Sequence, residues 1–138
     1  MRPSDVKFLV THCSATPASM DIGAAEIDRW HKQKGWAGCG YHFVIRRDGT
    51  IENGRAINVP GAHAEGYNTC SLGICLVGGL SPDGKEPENN FTAIQMVMLR
   101  SKLNELKAGD YREAEVLGHR DLPGVKKACP SFDVRAWW

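Results

Sequence analysis

Two short apolar runs constrain this chain more than anything else in it. Val6 to Ser14 reads VKFLVTHCS and Ser71 to Val77 reads SLGICLV. Each is a brief apolar stretch bounded by polar or glycine residues, the pattern of a strand buried within a sheet. Helical patterns alternate with them. Ile22 to Lys34 carries Ile27, Trp30 and His31 at i, i+3 and i+4, with Gly35 as its stop. Asn89 or Asn90 is placed to cap the run FTAIQMVMLRSKLNELKAG, which stops near Gly109. Along that run Met96, Leu99, Leu103 and Leu106 form one stripe, and Phe91, Ile94 and Met98 an adjacent one. A helix with that apolar face lies flat on a sheet. Tyr41 to Asn53 predicts a hairpin turning at Asp48-Gly49. Glu115 to Gly118 predicts a last short strand that delivers His119, and FDVRAWW a short terminal helix. This alternation predicts an α/β fold: three layers, with a central mixed β-sheet flanked by helices. A chain of 138 residues is expected to form one domain over residues 1–138.

Charge excludes one class of partner. The net charge is +1, and lysines and arginines are spread along the chain. A nucleic-acid binder needs a concentrated basic face to displace counterions, so no nucleic-acid partner is expected. The longest apolar run, Leu72 to Leu80, is far below a membrane span, and no membrane insertion is expected. At the N-terminus only Phe8, Leu9 and Val10 form an apolar core, too short for a signal peptide. A cytoplasmic location follows as the expectation. The five cysteines are an odd number for such a setting, which favours free thiols or metal ligands over a disulfide framework. Cys75 reads as a small core residue, whereas Cys39 and Cys70 fall in loops as candidate exposed thiols.

Gly79 to Glu86, GLSPDGKE, has the glycine and lysine spacing of a phosphate-binding loop. It places Glu86 where a Ser or Thr must hold magnesium, and it contains a proline, so it reads as a plain loop. The segment GHRDLPGVKKACPSFD, from Gly118 to Asp133, is richer in chemistry. His12 and His119 each end an apolar strand, and strand ends can converge at one sheet edge. Alternation along β-structure puts Cys13 on the face opposite His12. Pro130 biases Cys129 toward an extended conformation, in which Lys127 and Cys129 point the same way and Lys126 points to solvent. A lysine beside a thiol lowers its pKa, and the thiolate is both a nucleophile and a metal ligand. Two histidines and one cysteine can form a zinc site with an open fourth position, the arrangement of catalytic zinc. From residue types alone a metal site, a thiol nucleophile with a histidine base, and a basic loop all remain open.

Four blocks follow one another in order and favour the metal site: THCSAT, IDRWHKQKGWAGCGYHFVIRRDGTIENGR, GAHAEGYNTCSLGICLVGG and LGHRDLPGVKKACPSFD. Together they resemble the zinc-dependent N-acetylmuramoyl-L-alanine amidases of the type 2 family, particularly the single-domain endolysins of phages. Peptidoglycan recognition proteins share that fold. The resemblance runs from Val6 to Val134. It implies one zinc ion held by His12, His119 and Cys129, with Tyr41 and Lys127 as catalytic residues. It also implies a substrate groove bordered by His63 and Trp36, while His31 and His42 are expected to be structural. The implied reaction is hydrolysis of the amide joining N-acetylmuramic acid to L-alanine, with peptidoglycan as the partner and the chain acting as a monomer. No appended wall-binding domain is expected, and release from the cytosol would follow membrane permeabilisation during phage or prophage lysis. A non-catalytic peptidoglycan-binding module is the alternative, since relatives of that kind typically lack the ligating cysteine that this chain has as Cys129.

Overall fold

The buried runs become neighbouring strands of one sheet. A computed structural model describes residues 1–138. In chain order its elements are β1 (Phe8–Cys13), β2 (Thr16–Pro17), α1 (Ala24–Gln33), β3 (Phe43–Ile45), β4 (Ile51–Asn53), β5 (Ser71–Leu76), β6 (Gly79–Leu80), α2 (Ala93–Ala108), β7 (Glu115–Gly118) and α3 (Val134–Trp137). Five strands form the main sheet in the order β4-β3-β5-β1-β7. β1 lies parallel to both β5 and β7, β3 is parallel to β5, and only β4 runs antiparallel to its neighbour. The sheet is therefore mixed, as the sequence predicts. A small parallel pair, β2 with β6, sits apart from it.

Alternation assigns the two faces. Leu9, Phe43, Ile45, Leu72, Ile74, Leu76 and Val116 point to one side, where Leu99, Leu103 and Leu106 of α2 and Val134 of α3 cover them. On the other side Val44 and Cys75 pack with Ile27 of α1, and Val10 and Leu117 form a separate cluster with Ala64 and Leu122. The helices thus make the outer layers of a three-layer domain. Near the centre of the second face runs a row of polar or small side chains: His12 on β1, and Ser71, Gly73 and Cys75 on β5. That row is where the chemistry lies.

Several local expectations are corrected. The cap of α2 is Thr92, not Asn89 or Asn90: Thr92 Oγ1 accepts from the Gln95 N–H at 3.2 Å, and Gln95 Oε1 accepts from the Thr92 N–H at 2.9 Å. Such a reciprocal pair satisfies two free donors at the helix start. Asn90 instead holds the β6 region, accepting from Gly79 N–H at 2.9 Å and donating to the Leu80 carbonyl at 2.7 Å. The apolar face of α2 is narrower than its two stripes suggest, because Ile94 is 44% exposed while the polar Gln95 is fully buried. Gln95 Nε2 donates to the Ile45 and Val77 carbonyls at 3.1 and 3.0 Å, tying the helix to two strand ends. Cys39 is not an exposed thiol. It is buried against α1, and burial pushes its pKa up. The hairpin turn does form as expected, with Gly49 in the left-handed region at φ 89°. No helix is long and apolar enough to cross a membrane.

Candidate active site

Three side chains from distant parts of the sequence meet at the ends of β1 and β7. His12 is the fifth residue of the buried strand β1. His119 opens a 3-10 turn directly after β7, and Asp121 Oδ2 holds that turn by accepting from the Gly118 N–H at 2.8 Å. The chain then loops out, anchored by buried Leu122, and returns. Two contacts bring Cys129 back: Arg120 N–H donates to the Cys129 carbonyl at 2.9 Å, and Ser131 Oγ donates to the Gly79 carbonyl at 3.0 Å. The donor atoms of His12, His119 and Cys129 all lie within 4.8 Å of one another, a group that could hold a metal ion. His12 Nδ1 and Cys129 Sγ are 3.9 Å apart. A tetrahedral zinc with bonds of about 2.0 Å to nitrogen and 2.3 Å to sulfur would set roughly 3.5 Å between them, so the residues fit that ion.

Protonation favours ligation by the histidines. Burial is the largest influence on both His12 and His119, holding each below its ordinary pKa, and the Lys127 ammonium adds to it. Neutral imidazoles are what a metal requires. Cys129 shares its proton environment with a second thiol. Its pKa is pushed well up, first by a hydrogen bond with the Cys13 thiol and then by burial. Cys13 lies off the His12 face, as alternation requires, but β1 ends there and Cys129 packs across the strand end. The Cys13 N–H donates to Cys129 Sγ at 3.2 Å. A cation in the cluster would supply the charge that lets the thiol ionise.

Around the cluster is a two-armed cleft. The inner arm, about 510 Å³, is lined by His12, His119 and Cys129 together with Tyr41, Lys127 and His31. The outer arm, about 750 Å³, runs past Glu65, Asn68 and Lys126. Trp36, His63 and Lys127 line both. The half-buried Tyr41 ring stands 5.1 Å from that of His12, and burial raises its hydroxyl pKa well above the ordinary value. Trp36 is 39% exposed and packs on His31 at 4.6 Å. His63 is buried, with its Nδ1 2.8 Å from His12 Nε2.

Comparison with known proteins gives the family. Residues 2–132 match the family model described as Amidase_2, N-acetylmuramoyl-L-alanine amidase. The chain belongs to the Amidase_2 family. An endolysin of Klebsiella phage KP32 is 53% identical over 130 residues, covering 94% of this chain and 83% of the relative. The solved amidase LysC from Clostridium intestinale superposes with a TM-score of 0.80 at 31% identity, covering 96% of this chain and 81% of LysC. A mutant of Drosophila PGRP-LB, solved with tracheal cytotoxin, superposes with a TM-score of 0.75 at 26% identity, covering 96% and 79%. Tracheal cytotoxin is a monomeric diaminopimelic acid-type peptidoglycan. The chain is an N-acetylmuramoyl-L-alanine amidase of the endolysin type.

Sequence reasoning left several cleft residues out of the site. His31 reads as structural from its helix face, and its Nδ1 does accept from the Gly40 N–H at 2.8 Å, yet the ring also lines the inner arm. Lys126, expected to face solvent, is exposed but borders the outer arm. His42 is structural as expected: Nδ1 accepts from the Gly73 N–H and Nε2 donates to the Val59 carbonyl.

The buried imidazoles should make the metal-free amidase sensitive to acid. Burial lowers His12 and His63, the latter to about 3, against roughly 6.5 in an unfolded chain. A group with a depressed folded pKa contributes stability above its unfolded pKa and loses it as pH falls toward the folded value. Stability to urea should therefore stay level above about pH 7 and decline below about pH 6.5. Each histidine still neutral adds about 1.4 kcal/mol per pH unit to the slope. Urea melts of zinc-free protein between pH 7 and 4 measure this, and a flat profile down to pH 5 contradicts it.

Proposed function

We propose that this amidase is zinc-dependent, that it cleaves the amide between N-acetylmuramic acid and L-alanine, and that it serves as a phage or prophage endolysin in host lysis. One observation carries the reading: His12, His119 and Cys129 converge at the floor of a cleft whose wall includes Tyr41 and Lys127. His12, His119 and Cys129 would hold the ion, leaving one coordination position open, as in catalytic rather than structural zinc sites. Zinc, when bound, supplies Lewis acidity that activates water near neutral pH and polarises a carbonyl.

This chain's own residues do the rest. Attack on an amide builds negative charge on the carbonyl oxygen, which fixed donors and charges stabilise. The Lys127 ammonium supplies positive charge at the cleft. Tyr41 stays protonated through the working pH range because burial raises its pKa, so its hydroxyl serves as a hydrogen-bond or proton donor. Trp36 offers a broad apolar wall on which a substrate ring can rest. The outer arm has room for the stem peptide, consistent with the peptidoglycan fragment bound by Drosophila PGRP-LB. The residues required all come from one chain, which supports action as a monomer.

Digestion of purified peptidoglycan tests the reaction. New L-alanine amino groups should appear in step with loss of turbidity, with no new reducing sugar ends. Binding without any new amino groups would identify a recognition module instead.

A further inference from the structure

His63 borders the cleft, but its polar atoms are turned inward. Ser71 Oγ lies 2.7 Å from the Tyr67 carbonyl, which can only accept, so Ser71 spends its single hydrogen there. Ser71 Oγ is also 3.3 Å from His63 Nε2, and having no hydrogen left it must accept, so Nε2 carries the proton of the neutral ring. His63 Nδ1 is then a bare lone pair, 2.8 Å from His12 Nε2. His12 must therefore be protonated at Nε2, which leaves its Nδ1 free. That free atom is the one nearest Cys129 Sγ.

We propose that His63 is a positioning residue: a one-way hydrogen-bond chain from His12 through His63 and Ser71 to the Tyr67 carbonyl fixes the His12 tautomer and ring plane that a metal needs. The proposal rests on the zinc reading of the cluster. The chain ends on a backbone carbonyl, so it holds a tautomer and carries no proton away. The ring of His63 sits in a slot shaped for it. A Cβ on Gly73 would lie 2.6 Å from His63 Cγ, and one on Gly61 would lie 2.5 Å from its Cδ2. The His63 and Ala64 N–H groups both donate to Asn68 Oδ1, at 3.0 and 2.9 Å, fixing the backbone that carries the ring. The His12 and His63 rings meet edge to face at 89°. Metal-ligating histidines usually rest on a carboxylate, a carbonyl or water, and a carboxylate makes the ligand more basic. A neutral imidazole fixes the geometry without adding negative charge, and so would leave a bound metal more electrophilic than a carboxylate partner would.

The tautomers are read directly by long-range proton–nitrogen NMR on zinc-free protein labelled with 15N-histidine. His12 and His63 should both be protonated at Nε2 alone, and added zinc should shift Nδ1 of His12. A His12 proton on Nδ1 overturns the proposal. So does a proton on Nδ1 of His63. Because this readout needs no metal, a protein that binds no zinc would defeat the functional reading while leaving the tautomer result intact. In variants, His63→Ala should weaken zinc binding by about 10- to 100-fold with KM for peptidoglycan unchanged, and His63→Asn, which keeps an acceptor near the Nδ1 position, should recover part of it. Unchanged zinc affinity with a raised KM would make His63 a substrate contact instead. If His63→Ala does not fold, Ser71→Ala decides the point: it should leave His63 as a mixture of tautomers, and an unaltered spectrum refutes the chain.

Discussion

Cys129→Ser should abolish hydrolysis, with a loss on the order of 10³-fold or more, while the protein keeps its fold. Cys13 and burial push the Cys129 thiol up, and a cation held in the cluster would favour its thiolate. A serine hydroxyl at that position does not ionise near neutral pH at all, and its short, hard oxygen is a poor substitute for soft sulfur toward zinc. The loss should exceed the 10- to 100-fold typical of removing a ligand's hydrogen-bond partner, because this substitution removes a proposed ligand itself. The fold should survive because the main core, formed by Leu9, Leu72, Ile74, Leu99 and Leu103, lies on the opposite face of the sheet. Full chelation of the unmodified protein should reproduce the loss, and zinc should restore it. Turbidity of purified peptidoglycan measures the rate, and circular dichroism checks the fold. Undiminished lysis after complete zinc removal would refute the metal reading.

What the sequence reveals of this enzyme divides along a physical line. Features set by local chemistry are legible: the buried strands β1 and β5, the stop of α1 at Gly35, and the turn at Asp48-Gly49 each follow from a few adjacent residues. Features decided by what packs across them are not. Thr92 outcompetes Asn90 as a cap because Asn90 is engaged by Gly79 and Leu80, a contact no local pattern contains. Gln95 looks like an exposed polar residue, yet the carbonyls of Ile45 and Val77 need donors and draw it inside. The site divides the same way. His12, His119 and Cys129 can be named from strand ends and from family blocks, but the contact between His12 and His63 joins a strand to a loop far along the chain. One signal for it does exist in β5. Ser71, Gly73 and Cys75 alternate as a small, partly polar face within an apolar strand, and a strand buried on both sides carries such a face only where something packs closely over it.

Tyr41→Phe and Lys127→Met should each lower kcat by about 10² to 10³, the range typical for loss of one donor to a developing oxyanion. The two should differ in what else they move. Phenylalanine keeps the ring that packs beside His12 and His31, so zinc affinity and stability should be unchanged and only the hydroxyl's contribution is lost. Because burial holds the Tyr41 hydroxyl protonated, the variant should lose rate evenly across neutral pH rather than lose one limb of the profile. The lysine should act on more than the substrate. Its ammonium helps hold His12 and His119 below their ordinary pKa, so methionine there should let both histidines take up protons at higher pH. Zinc binding by Lys127→Met should then begin to weaken at a higher pH than in the parent, although near pH 8 the two should bind alike. Steady-state kinetics with zinc titrations at pH 6 and pH 8 separate these effects. A Lys127→Met enzyme with normal kcat and only a raised KM would place the lysine in substrate binding, since charge stabilisation confined to the transition state must appear in kcat.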